Sequence, residues 1–144
     1  MEYTVFVPDT AQEEQIDDAL MAYTLQQAPP TQKEPFVKLC RCAKSPEGEL
    51  IGGILACSVL WNILRIEALW VKGDCRGNGI ATALLAAVEE EAVEMGCSLA
   101  QLDTYDFQAL GFYEKCGYTV FGTLPDAPKG HTQYFLCKRF HSRF

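Results

Sequence analysis

The sequence predicts an α/β fold of the mixed (α+β) kind. We expect a central sheet of six to seven strands flanked by about three to four helices, in the order β-α-β-β-β-α-β-α-β-β. Three observations carry that expectation. Short β-rich runs bounded by Gly, Pro, Asn and Asp recur along the chain, and three follow one another between Phe36 and Val71. The clearest helical pattern, Ile80 to Met95, lies between two apolar runs, as in a crossover joining parallel strands.

Taken in order, Tyr3 to Val7 alternates in β-rich residues and reads as a first strand, closed by Pro8-Asp9. Asp9 or Thr10 caps a helix from Ala11 to about Leu25, in which Ile16, Ala19, Leu20 and Tyr23 recur at helical spacing as a packing face. Gln26 to Pro35, with Pro29 and Pro30, is a loop. Phe36 to Ala43 and Leu50 to Leu60 form an antiparallel pair around Ser45-Pro46-Glu47-Gly48-Glu49, and Gly52 and Gly53 predict a bulge or a close backbone approach. Trp61-Asn62 turns the chain into Ile63 to Val71. In that strand Ile63, Arg65, Glu67, Leu69 and Val71 point one way and Leu64, Ile66, Ala68 and Trp70 the other. Arg65 and Glu67 are charges in an apolar central strand, where they either pair with each other or serve a site.

The helix from Ile80 carries Leu84, Val88, Ala92 and Met95 on one face and stops at Gly96; Glu89, Glu90, Glu91 and Glu94 read as a solvated face. Ser98 to Thr104 is a strand parallel to 63–71. Asp106 or Gln108 opens a short helix with Leu110 and Tyr113 facing inward, ended by Gly117. Tyr118 to Thr123 is a strand, Leu124 to Gly130 a loop, and Thr132 to Lys138 the last strand. No internal repeat or low-complexity tract occurs, so a single domain, 1–144, is expected.

Composition narrows the function classes. Apolar residues make up 49% and charged residues 22%, in the range of soluble globular domains, and no apolar run nears the roughly 20 residues of a membrane span. The start, Met1-Glu2-Tyr3-Thr4, lacks a basic region followed by an apolar one, so a cytoplasmic protein with no membrane partner is expected. A net charge of −7 argues against nucleic acid and suits a cationic partner. Seven cysteines, an odd count without a CxxC pair, read as buried, reduced thiols. Cys40 and Cys42 would share one strand face, but no His or second Cys pair accompanies them at ligand spacing, and no metal is expected.

The most informative stretch is Leu69-Trp70-Val71-Lys72-Gly73-Asp74-Cys75-Arg76-Gly77-Asn78-Gly79-Ile80-Ala81-Thr82. An apolar strand enters a glycine-rich loop and a long helix starts at its end. The first turn of a helix leaves backbone N–H groups without partners at the positive end of the macrodipole. Here that turn, Ile80-Ala81-Thr82-Ala83, contains no acid, so an external anion is called for. Gly77 and Gly79 let a diphosphate approach the backbone, Arg76 adds charge at the rim, and the positive end would also lower the thiol pKa of neighbouring Cys75.

These residues resemble the GNAT superfamily of N-acetyltransferases, whose strand-to-helix junction reads Q/R-x-x-G-x-G/A; here it is Arg76-Gly77-Asn78-Gly79-Ile80-Ala81 after Leu69-Trp70-Val71. A second family element, N-x-x-A-x-x-x-Y followed by G-F or G-Y, appears as Asp106-Phe107-Gln108-Ala109-Leu110-Gly111-Phe112-Tyr113 and Gly117-Tyr118. More narrowly, Leu102 to Ala109 and Pro128-Lys129-Gly130-His131 look like a group of small bacterial members. The resemblance implies acetyl-CoA as cosubstrate, lying between the strands that end at Val71 and near Thr104. Its pyrophosphate would meet the amides of 77–82, and its pantetheine arm the backbone of Leu69 and Val71. Asp106 stands where many members carry an Asn that contacts that arm, a departure that Gln108 is placed to make good.

Acetyl transfer to an amine requires a neutral nitrogen, a stabilised oxyanion and a proton for the departing thiolate. The resemblance makes Tyr113 the proton donor, and Glu67, two residues before Leu69, a candidate to deprotonate the amine directly or through water. Tyr105, Asp106 and His131 are further candidates, and backbone N–H groups around Leu69 to Val71 would hold the oxyanion. The acceptor would be a small-molecule amine, cationic by charge balance, or a protein amino group. Exposed strand edges and Trp61 leave room for a homodimer. The alternative is a non-catalytic acyl-CoA sensor on the same scaffold. A nucleotide-binding fold is disfavoured, because the loop lacks the GxxxxGK[ST] lysine.

Overall fold

The computed structural model describes residues 1–141. The chain divides into two compact units, the first comprising residues 1–31 and the second beginning at Gln32. The first unit holds helix α1 (Thr10–Gln27), opened by a capping box in which Asp9 Oδ1 accepts from Gln12 N at 2.8 Å and Gln12 Oε1 accepts from Asp9 N at 3.0 Å. Residues 3–7, expected as a strand, form none: Tyr3, Val5 and Val7 are exposed and pair with no ladder. Alternation alone supplies no neighbour to complete the backbone hydrogen bonds. The helical spacing in α1 likewise produces no buried residue.

In the second unit the strands are β1 (Phe36–Lys38), β2 (Arg41–Lys44), β3 (Leu50–Val59), β4 (Ile63–Val71), β5 (Leu99–Tyr105), β6 (Thr119–Pro125) and β7 (Thr132–Arg139), with helices α2 (Ile80–Glu94) and α3 (Leu110–Lys115). They form one seven-stranded mixed sheet in the order β1-β3-β4-β5-β7-β6, with β2 also on β3. The expected strand 36–43 is thus two strands: Leu39 turns into the core at 1% exposure, and its N–H donates to Ala56 O at 2.8 Å between the two ladders. The order therefore opens on a helix, while the α/β class, the seven strands and the crossover from β4 through α2 to a parallel β5 match expectation.

Leu84, Leu85, Val88 and Ala92 of α2 are buried in a cluster with Ile54, Leu64, Ile66, Ala100, Leu102 and Leu136 of the sheet. The acidic end of α2 is only partly a solvated face. Glu91 pairs with Arg41 at the surface, and Glu89 is half-buried against Lys138 Nζ at 2.8 Å, so cations from β2 and β7 offset part of the like-charge crowding. Of the seven thiols, Cys97 is buried, Cys42 exposed and the others intermediate, all free, which corrects the uniformly buried set expected. Among the described residues no helix is long and apolar enough to cross a membrane.

Candidate active site

β4 and β5 pair only at their starts, where Ile63, Leu64 and Arg65 meet Leu99, Ala100 and Gln101. Beyond that the strands pair no further, and a groove of about 900 Å³ lies along the remainder of β4, the start of α2, the end of β5 and α3. The cause is local. Leu55 pairs with Ala68 and Ala56 with Ile66, so Glu67 is an extra residue on β4. A bulge bends its strand and sharpens its twist, which turns β4 away from its parallel neighbour.

The bulge also resets which side chains face the core. Leu64 and Ile66 are buried, but after Glu67 it is Leu69 that packs on the core while Trp70 is 48% exposed. This overturns the expected alternation, in which Leu69 shared a face with Arg65 and Glu67. Among the described residues Arg65 and Glu67 form no ion pair; Glu67 Oε1 instead accepts from Cys57 Sγ at 3.6 Å. Burial, then the Glu67 carboxylate, pushes the Cys57 thiol up.

The glycine-rich loop is built from several short tethers. Lys72 N donates to Ile51 O at 2.8 Å, Asn78 Nδ2 to Cys75 O at 2.9 Å and Arg76 Nε to Val71 O at 3.4 Å. Gly79 is the α2 N-cap, at φ +77°, a left-handed conformation that favours glycine. The first α-helical bond runs from Ala83 N to Gly79 O, and no side chain caps this end. The amides of Ile80, Ala81 and Thr82 therefore have no helical acceptor, with no acid in the first turn. A Cβ on Gly77 or Gly79 would meet nothing within 4 Å, so their backbone is open to a ligand. Gly52 plays the opposite part: a Cβ there would lie 3.0 Å from Ile80 Cγ2 and 3.2 Å from Trp70 O, so its absence lets α2 start close to the sheet. Cys75 departs from expectation, since desolvation and a hydrogen bond to Asp74 raise its thiol pKa.

Across the groove, Tyr113 is 5% exposed and packs edge-on to Phe112 and Tyr118. Burial, with smaller contributions from Cys116 and Asp103, pushes its phenol up to about 12. At neutral pH it holds its proton. Gln108 Oε1 accepts from Thr104 Oγ1 and from Tyr105 N, both at 3.2 Å, which folds the turn between β5 and α3. Asp106 faces elsewhere: Oδ2 accepts from Thr132 N at 2.9 Å and Oδ1 lies 2.8 Å from His131 Nδ1. The Thr132 amide and then His131 hold this carboxyl below the usual carboxylate range.

Of the residues expected at the site, all line the groove except Asn78, which staples the loop, Asp106, and the further candidates Tyr105 and His131. Asp103 and Phe107 also line it and were not singled out from the sequence. Asp103 was legible in principle: on β5 it stands two residues past Gln101, as Glu67 stands two past Arg65, where the parallel pairing ends. Nothing in the sequence marked Phe107, which lies in the irregular turn before α3.

A mixed sheet parted between two parallel strands, with a glycine-entered, uncapped helix opening onto the gap, is the architecture that the sequence resemblance implied. The chain belongs to the acetyltransferase (GNAT) family, whose model matches residues 6–118. Blasticidin-S acetyltransferase from Streptomyces morookaense is 37% identical over 115 residues, 79% of this chain and 84% of that protein. An acetyltransferase from Bacillus cereus ATCC 14579 superposes with a TM-score of 0.89 at 33% identity, covering 96% of this chain and 98% of that one. A Bacillus anthracis acetyltransferase solved with acetyl coenzyme A shares the fold at 22% identity, with a TM-score of 0.65 and 76% and 65% of the two chains covered.

Proposed function

We propose that the protein is an acetyl-CoA-dependent N-acetyltransferase that acetylates a primary amine of a small molecule, with cationic amines preferred. The observation that carries this reading is the parted β4–β5 pair, because one groove joins an uncapped helix end to a buried, protonated phenol. The residues fit the cosubstrate. The amides of 80–82 and the open Gly77–Gly79 backbone suit a pyrophosphate, Arg76 adds positive charge, and the unpaired edge of β4 from Leu69 to Val71 suits an extended amide-bearing arm.

Acetyl-CoA supplies a thioester, whose carbonyl carbon is the electrophile. Glu67 is the carboxylate we assign to drawing the proton from the incoming ammonium, directly or through water. Asp103, held by Gln133 Nε2 at 2.8 Å, adds a second negative charge to the groove, which favours a cation over a neutral or acidic acceptor. Tyr113 gives its proton to the departing sulfur. Its raised pKa keeps the phenol in the donor form across the working pH range. The named substrate of the Streptomyces relative supports a small molecule as acceptor.

The test is calorimetric titration of acetyl-CoA into the protein and into Gly79→Glu, followed by thiol-release assays with blasticidin S, spermidine, ethanolamine and glycine. We expect micromolar binding that Gly79→Glu abolishes, and faster turnover of the cations than of glycine. Binding without turnover of any amine would favour the acyl-CoA sensor, and no binding by folded protein would refute both readings.

A further inference from the structure

Two surfaces of this chain carry the pattern of packed surfaces and are nevertheless exposed. The first is helix α1, where Ile16, Leu20 and Tyr23 recur on one helical face and stand 61%, 63% and 61% exposed. Most helices draw their stability from packing such a stripe, whereas α1 has its capping box and no buried residue. Ahead of it, Tyr3, Val5 and Val7 alternate like a strand, are exposed and pair with no ladder. Residues 1–31 also hold six acids, Glu2, Asp9, Glu13, Glu14, Asp17 and Asp18, and no Lys, Arg or His.

The second surface is one face of the sheet. Ile54, Leu64, Ile66, Ala100, Leu102 and Leu136 point to the face on which α2 packs. The alternate positions point the other way, and the ladders line them up in rows: Phe36, Val59, Ile63 and Leu99 in one, Lys38, Cys57, Arg65 and Gln101 in the next. None of these is buried, and Leu55, two residues before Cys57, is 52% exposed. A sheet with a helical layer on one face and uncovered apolar rows on the other lacks a layer. Among the described residues the exposed Lys38 and Arg65 form no ion pair. This face runs up to the groove, because Cys57 Sγ donates to Glu67 Oε1 at 3.6 Å and Glu67 lines the groove.

We propose that a second copy of this chain supplies the missing layer. The two copies exchange their first units, and α1 of each lays Ile16, Leu20 and Tyr23 on the open sheet face of the other. The apolar stripe meets apolar rows, and Glu13 and Asp17, which flank the stripe at helical spacing, meet the cations Lys38 and Arg65. The linker favours exchange over closure within one chain. Ala28 leaves α1 extended, at φ −134° and ψ 91°, and Pro29-Pro30 continue that stiff course. Gln32 then pins the chain to Ser58 and Asn62. A short, stiff hinge resists the reversal that closure needs, and exchange removes that need. Each groove is then bordered at Glu67 by the other copy's helix. The exchange holds whatever reaction the groove performs.

The test is molar mass by light scattering during size-exclusion chromatography at micromolar concentration. The full-length wild-type chain should run at twice the 16.0 kDa of one copy. Leu20→Glu puts a charge into the stripe and Leu55→Glu puts one into the open face. Both positions are exposed in the single chain, so neither change harms its second unit, and each variant should run at the mass of one copy while still melting cooperatively. An equimolar mixture of the two should be heavier than either alone, because the unaltered helix of Leu55→Glu fits the unaltered face of Leu20→Glu. That recovery is particular to exchange: helix on helix, or face on face, would leave one of the two variants a dimer by itself. Wild type at the mass of one copy overturns the proposal. So does a single variant that keeps the doubled mass, or a mixture no heavier than its components.

Discussion

Replacing Tyr113 with Phe separates the chemistry of the hydroxyl from the packing of the ring. The ring is 5% exposed and sits among Phe112, Tyr118 and the core, and Phe reproduces its shape. The stability change at neutral pH should therefore stay below about 1.5 kcal/mol, the usual limit for a volume-conserving swap. Loss of the proton for the leaving sulfur should cost about 10²- to 10⁴-fold in kcat with little change in acetyl-CoA affinity. The phenol also has a signature in alkali. Its folded pKa of about 12 exceeds the ordinary phenol value of 10.0, so the native state binds more protons than the unfolded state between those values. Its contribution is fully present below the unfolded pKa and is lost as pH rises through the folded one, the whole difference amounting to about 3 kcal/mol. Tyr118, raised in the same direction chiefly by burial, adds to the fall in wild type. Urea denaturation at pH 8 and pH 11, with thiol-release kinetics, measures both effects. A Tyr113→Phe enzyme with wild-type kcat would refute the donor role. One whose stability falls as steeply with pH as the wild type would refute the linkage.

Two further substitutions test how the scaffold holds the site. Gly52→Ala places a Cβ 3.0 Å from Ile80 Cγ2 and 3.2 Å from Trp70 O; overpacking of this kind costs about 1 to 3 kcal/mol, and because Ile80 opens α2, acetyl-CoA affinity should weaken as well. A melting scan and a titration check this, and an unchanged Tm would show that the helix start is not wedged against β3. Gln32 Oε1 accepts from Ser58 Oγ at 2.7 Å and Asn62 N at 3.2 Å, while its Nε2 donates to Glu34 O at 2.7 Å and Ser58 O at 2.9 Å. Gln32→Ala should lower the urea midpoint by an amount equal to about 1 to 3 kcal/mol, since Ser58 is fully buried, and leave acetyl-CoA affinity unaltered.

What the sequence made legible, and what it hid, follow from the range of the interactions involved. The crossover helix was readable because its signals are local: a glycine at +77° before it, apolar residues at 84, 88 and 92, and a glycine after it. Residues 3–7 and the break at Leu39 were not, because a strand exists only when a neighbour completes its ladder, and alternation cannot name that neighbour. The same limit explains the error on β4. Glu67 looked like one more outward position on a regular strand, yet its register is set by β3, where Leu55 and Ala56 skip it.

That skipped residue ties fold and candidate site together. Two charges in a central strand seemed costly only under the assumption of an unbroken period of two. With the bulge, Arg65 and Glu67 lie outside the core, Leu69 enters it, and β4 turns off β5 beyond Arg65 to open the groove. The carboxylate assigned to the amine proton is thus the residue whose insertion makes room for the amine. Deleting Glu67 would restore the period and close the gap, whereas replacing its side chain would leave the groove intact, so the two changes separate the residue's structural part from its chemical one.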